Sequence, residues 1–95
     1  MITSLDHVQL AMPKGGEETA RRFFVSILGF EEVEKPEALR SRGGCWFKQQ
    51  NAVLHLGVEE PFSPARKAHP AFRVADIEAF RAKLEASSVE IIDDT

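Results

Sequence analysis

Two stretches, Phe24–Val33 (FVSILGFEEV) and Phe80–Val89 (FRAKLEASSV), decide the architecture once one is laid on the other. Phe24 falls on Phe80, Leu28 on Leu84 and Val33 on Val89, each pair 56 positions apart. Further upstream His7 falls on His69 at a spacing of 62. The second copy therefore has a strand-to-helix loop six residues shorter, a difference the Gly15-Gly16 loop of the first copy can absorb. Self-similarity at such a period marks a repeated supersecondary unit rather than one continuous fold.

The unit can be read outward from these stretches. Ala20, Phe23, Phe24, Ile27 and Leu28 recur at helical spacing and form one apolar stripe. Glu17 and Glu18 put negative charge in the first turn, where the helix dipole favours it. Gly29 can take the left-handed backbone of a C-cap, with Phe30 folding back on the last turn. Before this helix, Leu5 to Ala11 alternates polar and apolar until Met12-Pro13 stops it, which predicts a half-buried strand. After it, Phe30–Glu34, Gly44–Gln49 and Ala52–Val58 read as strands, with a polar loop around Pro36 and a turn at Gln50-Asn51. In the second half, His69–Val74 reads as a strand. Asp76 is a good N-cap, Ile77, Phe80 and Leu84 repeat along a helix, and Ser87-Ser88 ends it. Val89–Ile92 reads as another strand. Phe23 or Phe24, Ile27, Leu28, Ile77, Phe80 and Leu84 are the expected helix residues of the core.

The predicted fold class is α+β: a βαβββ module over residues 1–60, then an incomplete second copy, βαβ, over 67–95, within a single domain of 95 residues. Such a half-module would leave Val89–Ile92 as an unpaired sheet edge, a feature proteins usually cover. The expectation is that the strands are completed either by a second copy, as a homodimer, or by residues beyond Thr95.

Composition narrows the function classes. The chain is 43% hydrophobic and 28% charged, with seven Phe, which is globular rather than disordered. The net charge is −3 and the basic residues are scattered, which argues against nucleic acid. A lone Cys45 forms no internal disulfide and reads as a small buried hydrophobe, so a reducing cytoplasm is expected. No apolar run approaches the ~20 residues that cross a bilayer, and no membrane partner is expected.

Three histidines carry the chemistry. Alternate strand residues face opposite sides. His7 shares its face with Leu5 and Gln9, His55 with Val53 and Gly57, and His69 with Ala71; in each strand the larger apolar residues lie opposite. The three imidazoles could converge on one concave face while the helices cover the other. A strand histidine is ordinarily a surface or hydrogen-bonded residue, and it is the repeat pairing of His7 with His69 that strengthens a ligand role. Imidazole suits Zn, Ni, Fe, Co or Mn, and three protein ligands with an open position describe a catalytic centre. Trp46 and Phe47 are adjacent, so one faces the core and the other is free to line a pocket.

Taken together, Leu5-Asp6-His7-Val8, the helix end Phe23-Phe24 to Leu28-Gly29-Phe30, the strand Leu54-His55-Leu56 and the run His69-Pro70-Ala71-Phe72-Arg73-Val74 resemble the vicinal oxygen chelate superfamily. That group includes glyoxalase I, extradiol dioxygenases, fosfomycin-resistance proteins, methylmalonyl-CoA epimerase and bleomycin-binding proteins. The resemblance implies paired βαβββ modules around a divalent metal, with His7 and His69 in ligand positions. His55 stands where glyoxalase-type members carry an acidic ligand and others often carry none. The glutamate that the last strand of a second module supplies has no counterpart among Glu31, Glu32 and Glu90.

Three readings follow. The first is a metal-dependent lyase or dioxygenase acting on a small oxygenated substrate, with His7, His69 and His55 at the metal. The second is a metal-free module that binds an apolar or aromatic drug, stacking it on Trp46 or Phe47. The third is an inactive truncated product.

Overall fold

The computed structural model describes residues 1–94. Strand β1 (Val8–Met12) leads through the Gly15-Gly16 loop into helix α1 (Glu17–Arg21), which continues as a π-helical segment over Arg22–Ile27. Strand β2 (Glu31–Val33) is followed by a 3₁₀ helix (Glu37–Arg42), then by strands β3 (Cys45–Gln49) and β4 (Ala52–Val58). Helix α2 (Ile77–Ala86) stands near the C-terminal end. The sheet order is β1-β4-β3-β2; β4 runs parallel to β1, and the remaining neighbours are antiparallel. This is the βαβββ module expected of the first half.

The first helix ends as its sequence requires but does not keep one period. Leu28 donates its N–H to Phe23 O at 2.9 Å, a bond one residue wider than an α-turn. Gly29, at φ 84°, then closes the helix, and Phe30 N–H reaches back to Phe24 O at 2.8 Å. The wider turn carries Phe24 onto the sheet, where its ring stacks on Phe47 at 5.4 Å, while Phe30 meets Phe47 edge-on at 6.5 Å.

Phe47, Leu54, Leu56, Cys45, Met12, Ala20 and Phe30 form the buried core, with Val8, Leu10, Phe24, Val25 and Leu28 packed against it. All lie between the first helix and one face of the sheet. The register places Val8 beside Leu54 and Phe47 beside Leu54 on that covered face. The opposite face carries one cross-strand row: Gln9, His55, Trp46 and Val33. Trp46 and Phe47 thus divide as expected, Phe47 fully buried and Trp46 on the open side.

Two loop features pin the sheet to the helix. Gly44 has φ 88°, and its N–H donates to Glu17 Oε2 at 2.9 Å. The Lys35 ammonium donates to the neighbouring Gly43 carbonyl.

The second half departs from expectation. Neither His69–Val74 nor Val89–Ile92 forms a strand. A strand is held by its ladder, and alternation of side chains alone does not supply one. Without a second sheet the stripe on α2 has little to cover. Phe80 and Leu84 are half-buried, and Ile77, expected in the core, is 66% exposed. The N-cap is as predicted: Asp76 Oδ1 accepts the Ala79 N–H at 3.1 Å. Among the described residues, no helix is long and apolar enough to cross a membrane.

Candidate functional site on the open face of the sheet

His7 sits one residue before β1 and is tied at one end. Its Nδ1 lies 2.8 Å from Asp6 Oδ2. The hydrogen bond from His7 is the main reason the Asp6 carboxyl is held below its ordinary range, with the neighbouring imidazole charge adding to it. A carboxylate only accepts, so Nδ1 carries the proton and Nε2 presents its lone pair. His69 is arranged alike. Its Nδ1 lies 2.7 Å from the Lys67 carbonyl oxygen, which also only accepts, so Nε2 is again the free nitrogen. Both residues line one cavity of about 1010 Å³ between β1 and the segment that follows β4, together with Asp6, Glu59, Phe62 and Phe72.

His55 occupies the centre of the open face on β4, where it is 8% exposed. Trp46 on β3 lies parallel to it, ring centroids 3.7 Å apart and planes at 0°. His7 covers it from the β1 side at 4.0 Å and 20°. Burial, followed by the adjacent His7, pushes the His55 imidazole below its ordinary value, so it stays neutral more readily than a free histidine. Gln9 is the direct cross-strand neighbour of His55, yet its amide leans over Gly57, where an added Cβ would meet Gln9 Nε2 at 2.9 Å. That lean leaves the flat side of His55 to His7.

The structure thus brings His7 and His55 into contact and sets His7 and His69 on one cavity. It does not bring all three to a point: among the described residues, no group of three or more His, Cys, Asp or Glu side chains could hold a metal ion. Cys45 is buried and its thiol is pushed up chiefly by burial, the state of an inert packing residue. Two participants escaped the sequence reading. Asp6 was visible only as the neighbour of His7. The Trp46–His55–His7 stack depends on the β4 register, which fixes Trp46 and Gln9 on either side of His55.

No protein-family model matches the chain, and no curated protein does. Solved structures do match it. A crystal structure from Bacillus anthracis, described as a glyoxalase family protein, shares 51% identity at a TM-score of 0.96, covering 99% of this chain and 77% of that one. An integron cassette protein from the mobile metagenome of Halifax Harbour Sewage Outfall shares 23% identity at a TM-score of 0.69, over 90% of this chain and 72% of that one. The protein SMU.1112c shares 18% identity at 0.65, over 98% and 80% respectively. The latter two show the fold alone. Half of the residues are identical to the first over nearly the whole of this chain, and the βαβββ module with its open face is what the sequence implied; the chain belongs to the glyoxalase family, within the vicinal oxygen chelate superfamily.

Proposed function

We propose that the chain binds a divalent metal through Nε2 of His7 and Nε2 of His69, and with it a small substrate carrying two neighbouring oxygens. One observation supports this above the others: both histidines have Nδ1 tied to an oxygen acceptor, and both face the same cavity. Ligand histidines are oriented in this way by a carboxylate or carbonyl behind them. Two imidazoles suit Zn, Ni, Fe, Co or Mn, and the remaining positions fall to substrate oxygens and water. A bound ion there would act as a Lewis acid on the substrate. The chain's own groups orient the donors and, through Phe62 and Phe72, give the cavity apolar walls. Isothermal titration of the purified chain with Zn²⁺, Ni²⁺ and Co²⁺ tests the reading. Binding that is lost in both His7→Ala and His69→Ala is expected. Unchanged affinity in the two variants would sink it.

A metal-free reading has one specific observation in its favour. Trp46 lies flat and half-exposed on the open face, able to stack a planar ligand on its outer side. It wins if no metal binds but an aromatic ligand quenches Trp46 fluorescence. A second copy of the chain is the proposed protein partner, since β1 is an edge strand of the sheet and Ile77 is exposed. Light scattering at micromolar concentration should then give twice the 10.6 kDa chain mass.

A further inference from the structure

We infer that His55 is a positioning residue, a flat plate clamped by Trp46 that fixes the plane of the His7 imidazole, and not a third metal ligand. The inference rests on the proposed ligand role of His7 and deepens it. Its starting point is how loosely His7 is otherwise held. The residue precedes the strand, and its only hydrogen-bonding tether is an Asp6 side chain that is 94% exposed. One hydrogen bond to such a carboxylate fixes which nitrogen is protonated but leaves the ring free to turn about that bond.

The plate is as rigid as His7 is loose. His55 sits on β4, which pairs on both sides, and it is among the buried residues. Trp46 holds its far face in full parallel contact. Gln9, which could have covered the near face, is drawn aside over Gly57. The space this frees is the space the His7 ring occupies, 4.0 Å away.

The same geometry argues against shared ligation. A metal bound to imidazole lies near the ring plane, about 2.0–2.1 Å from the nitrogen. Two stacked rings have planes that do not meet near either nitrogen. An ion in the plane of His7 is therefore displaced sideways from the lone pairs of His55. A plate needs a flat ring and no nitrogen, whereas a ligand needs the nitrogen.

Two substitutions separate these demands. His55→Phe keeps the flat ring and removes both nitrogens; His55→Leu keeps an apolar side chain and removes the ring. The first readout is the proton spectrum of the metal-free chain, in which a stacked His7 shows ring protons shifted upfield by its neighbour. The second is Co²⁺ affinity. His55→Phe should keep the upfield His7 signals and bind Co²⁺ within a few-fold of the parent. His55→Leu should return the His7 signals toward their free positions and lose on the order of 10-fold in affinity, the low end for removal of a group that orients a ligand. Trp46→Leu, which loosens the clamp while sparing His55, should move both readouts in the direction of His55→Leu. A His55→Phe protein that loses as much affinity as His7→Ala would overturn the inference and make His55 a ligand. Unmoved His7 signals in His55→Leu would overturn it equally, by showing that the ring is held elsewhere. Should the parent bind no metal at all, the ligand reading fails, and the metal-free spectra still decide the plate.

Discussion

Replacing Gly44 with alanine should be among the most damaging single-methyl changes available to this chain. A Cβ at that position would lie 2.1 Å from the Leu56 carbonyl oxygen, more than an ångström short of the 3.4 Å at which ordinary contact begins. The obstacle is backbone, so no side-chain rotation relieves it. Leu56 is itself held from both sides, by Leu10 on β1 and Cys45 on β3. The residue must therefore move, and its bond to Glu17 Oε2 moves with it. The left-handed backbone, at φ 88°, costs an alanine about 1–2 kcal/mol. Forcing the hairpin apart adds about 1–3 kcal/mol, as in other overpacked sites. Against the ~5–15 kcal/mol that stabilises a domain this size, the expected loss of about 3–5 kcal/mol lowers the melting temperature by roughly 12–40 °C. Gly15→Ala is the matching control, with φ 78° and nothing within 4 Å of the added methyl, so it carries the backbone penalty alone. Urea and thermal melts of the two variants would settle the matter. Equal destabilisation would refute the steric reasoning and reduce Gly44 to an ordinary turn glycine.

Phe47→Ala removes a fully buried ring that touches both Phe24 and Phe30; denaturant unfolding should register a loss of about 3–5 kcal/mol. Asp76→Ala deletes the cap of α2 at about 1 kcal/mol. Because α2 buries no residue completely, the loss should show as faster amide exchange over Ile77–Ala86, with little change in the main melt. His55 has its folded-state value pushed below the ordinary 6.5, so the fold favours the neutral ring. That contribution is present above 6.5 and is lost as pH falls toward and through the lowered value. Melting temperatures followed from pH 8 to pH 5 should drop more for the parent than for His55→Phe, and parallel curves would count against it. Asp6→Ala should weaken metal binding about 10–100-fold by freeing the His7 ring nitrogen it orients, and titration calorimetry reads this directly.

The first module was legible because its signals are local and agree with one another. Ala52–Val58 is a strand over the whole predicted range, Gly29 closes its helix, and Phe47 rather than Trp46 fills the core. Stripe spacing did not reveal the π-helical turn, since one extra residue in a turn leaves the same apolar residues near the same face. The second module was misread for the opposite reason. The strand pattern at His69–Val74 describes what the segment could do beside a partner, and no partner strand stands beside it. At the site, parity placed Gln9, His55 and Trp46 together, because alternation in β4 and β3 is strict. It could not tell convergence from stacking. Both arrangements put imidazoles on one face, and the choice depends on where Gln9 leans, which is decided by the missing side chain at Gly57.

The clamp also gives the chain an optical reporter. Trp46 is its one tryptophan, and there is no tyrosine, so near-ultraviolet emission arises from a single indole stacked on His55. An indole in flat contact with an imidazole exchanges charge with it in the excited state, and a protonated imidazole quenches more strongly than a neutral one. Emission intensity should therefore follow the protonation of His55 and any ligand that slides over the ring face, with no label attached. Circular dichroism in the indole band should respond to the same events, because a ring fixed between neighbours absorbs left- and right-handed light unequally and a loosened one does not. Anything that touches the open face of the sheet would be seen from within it.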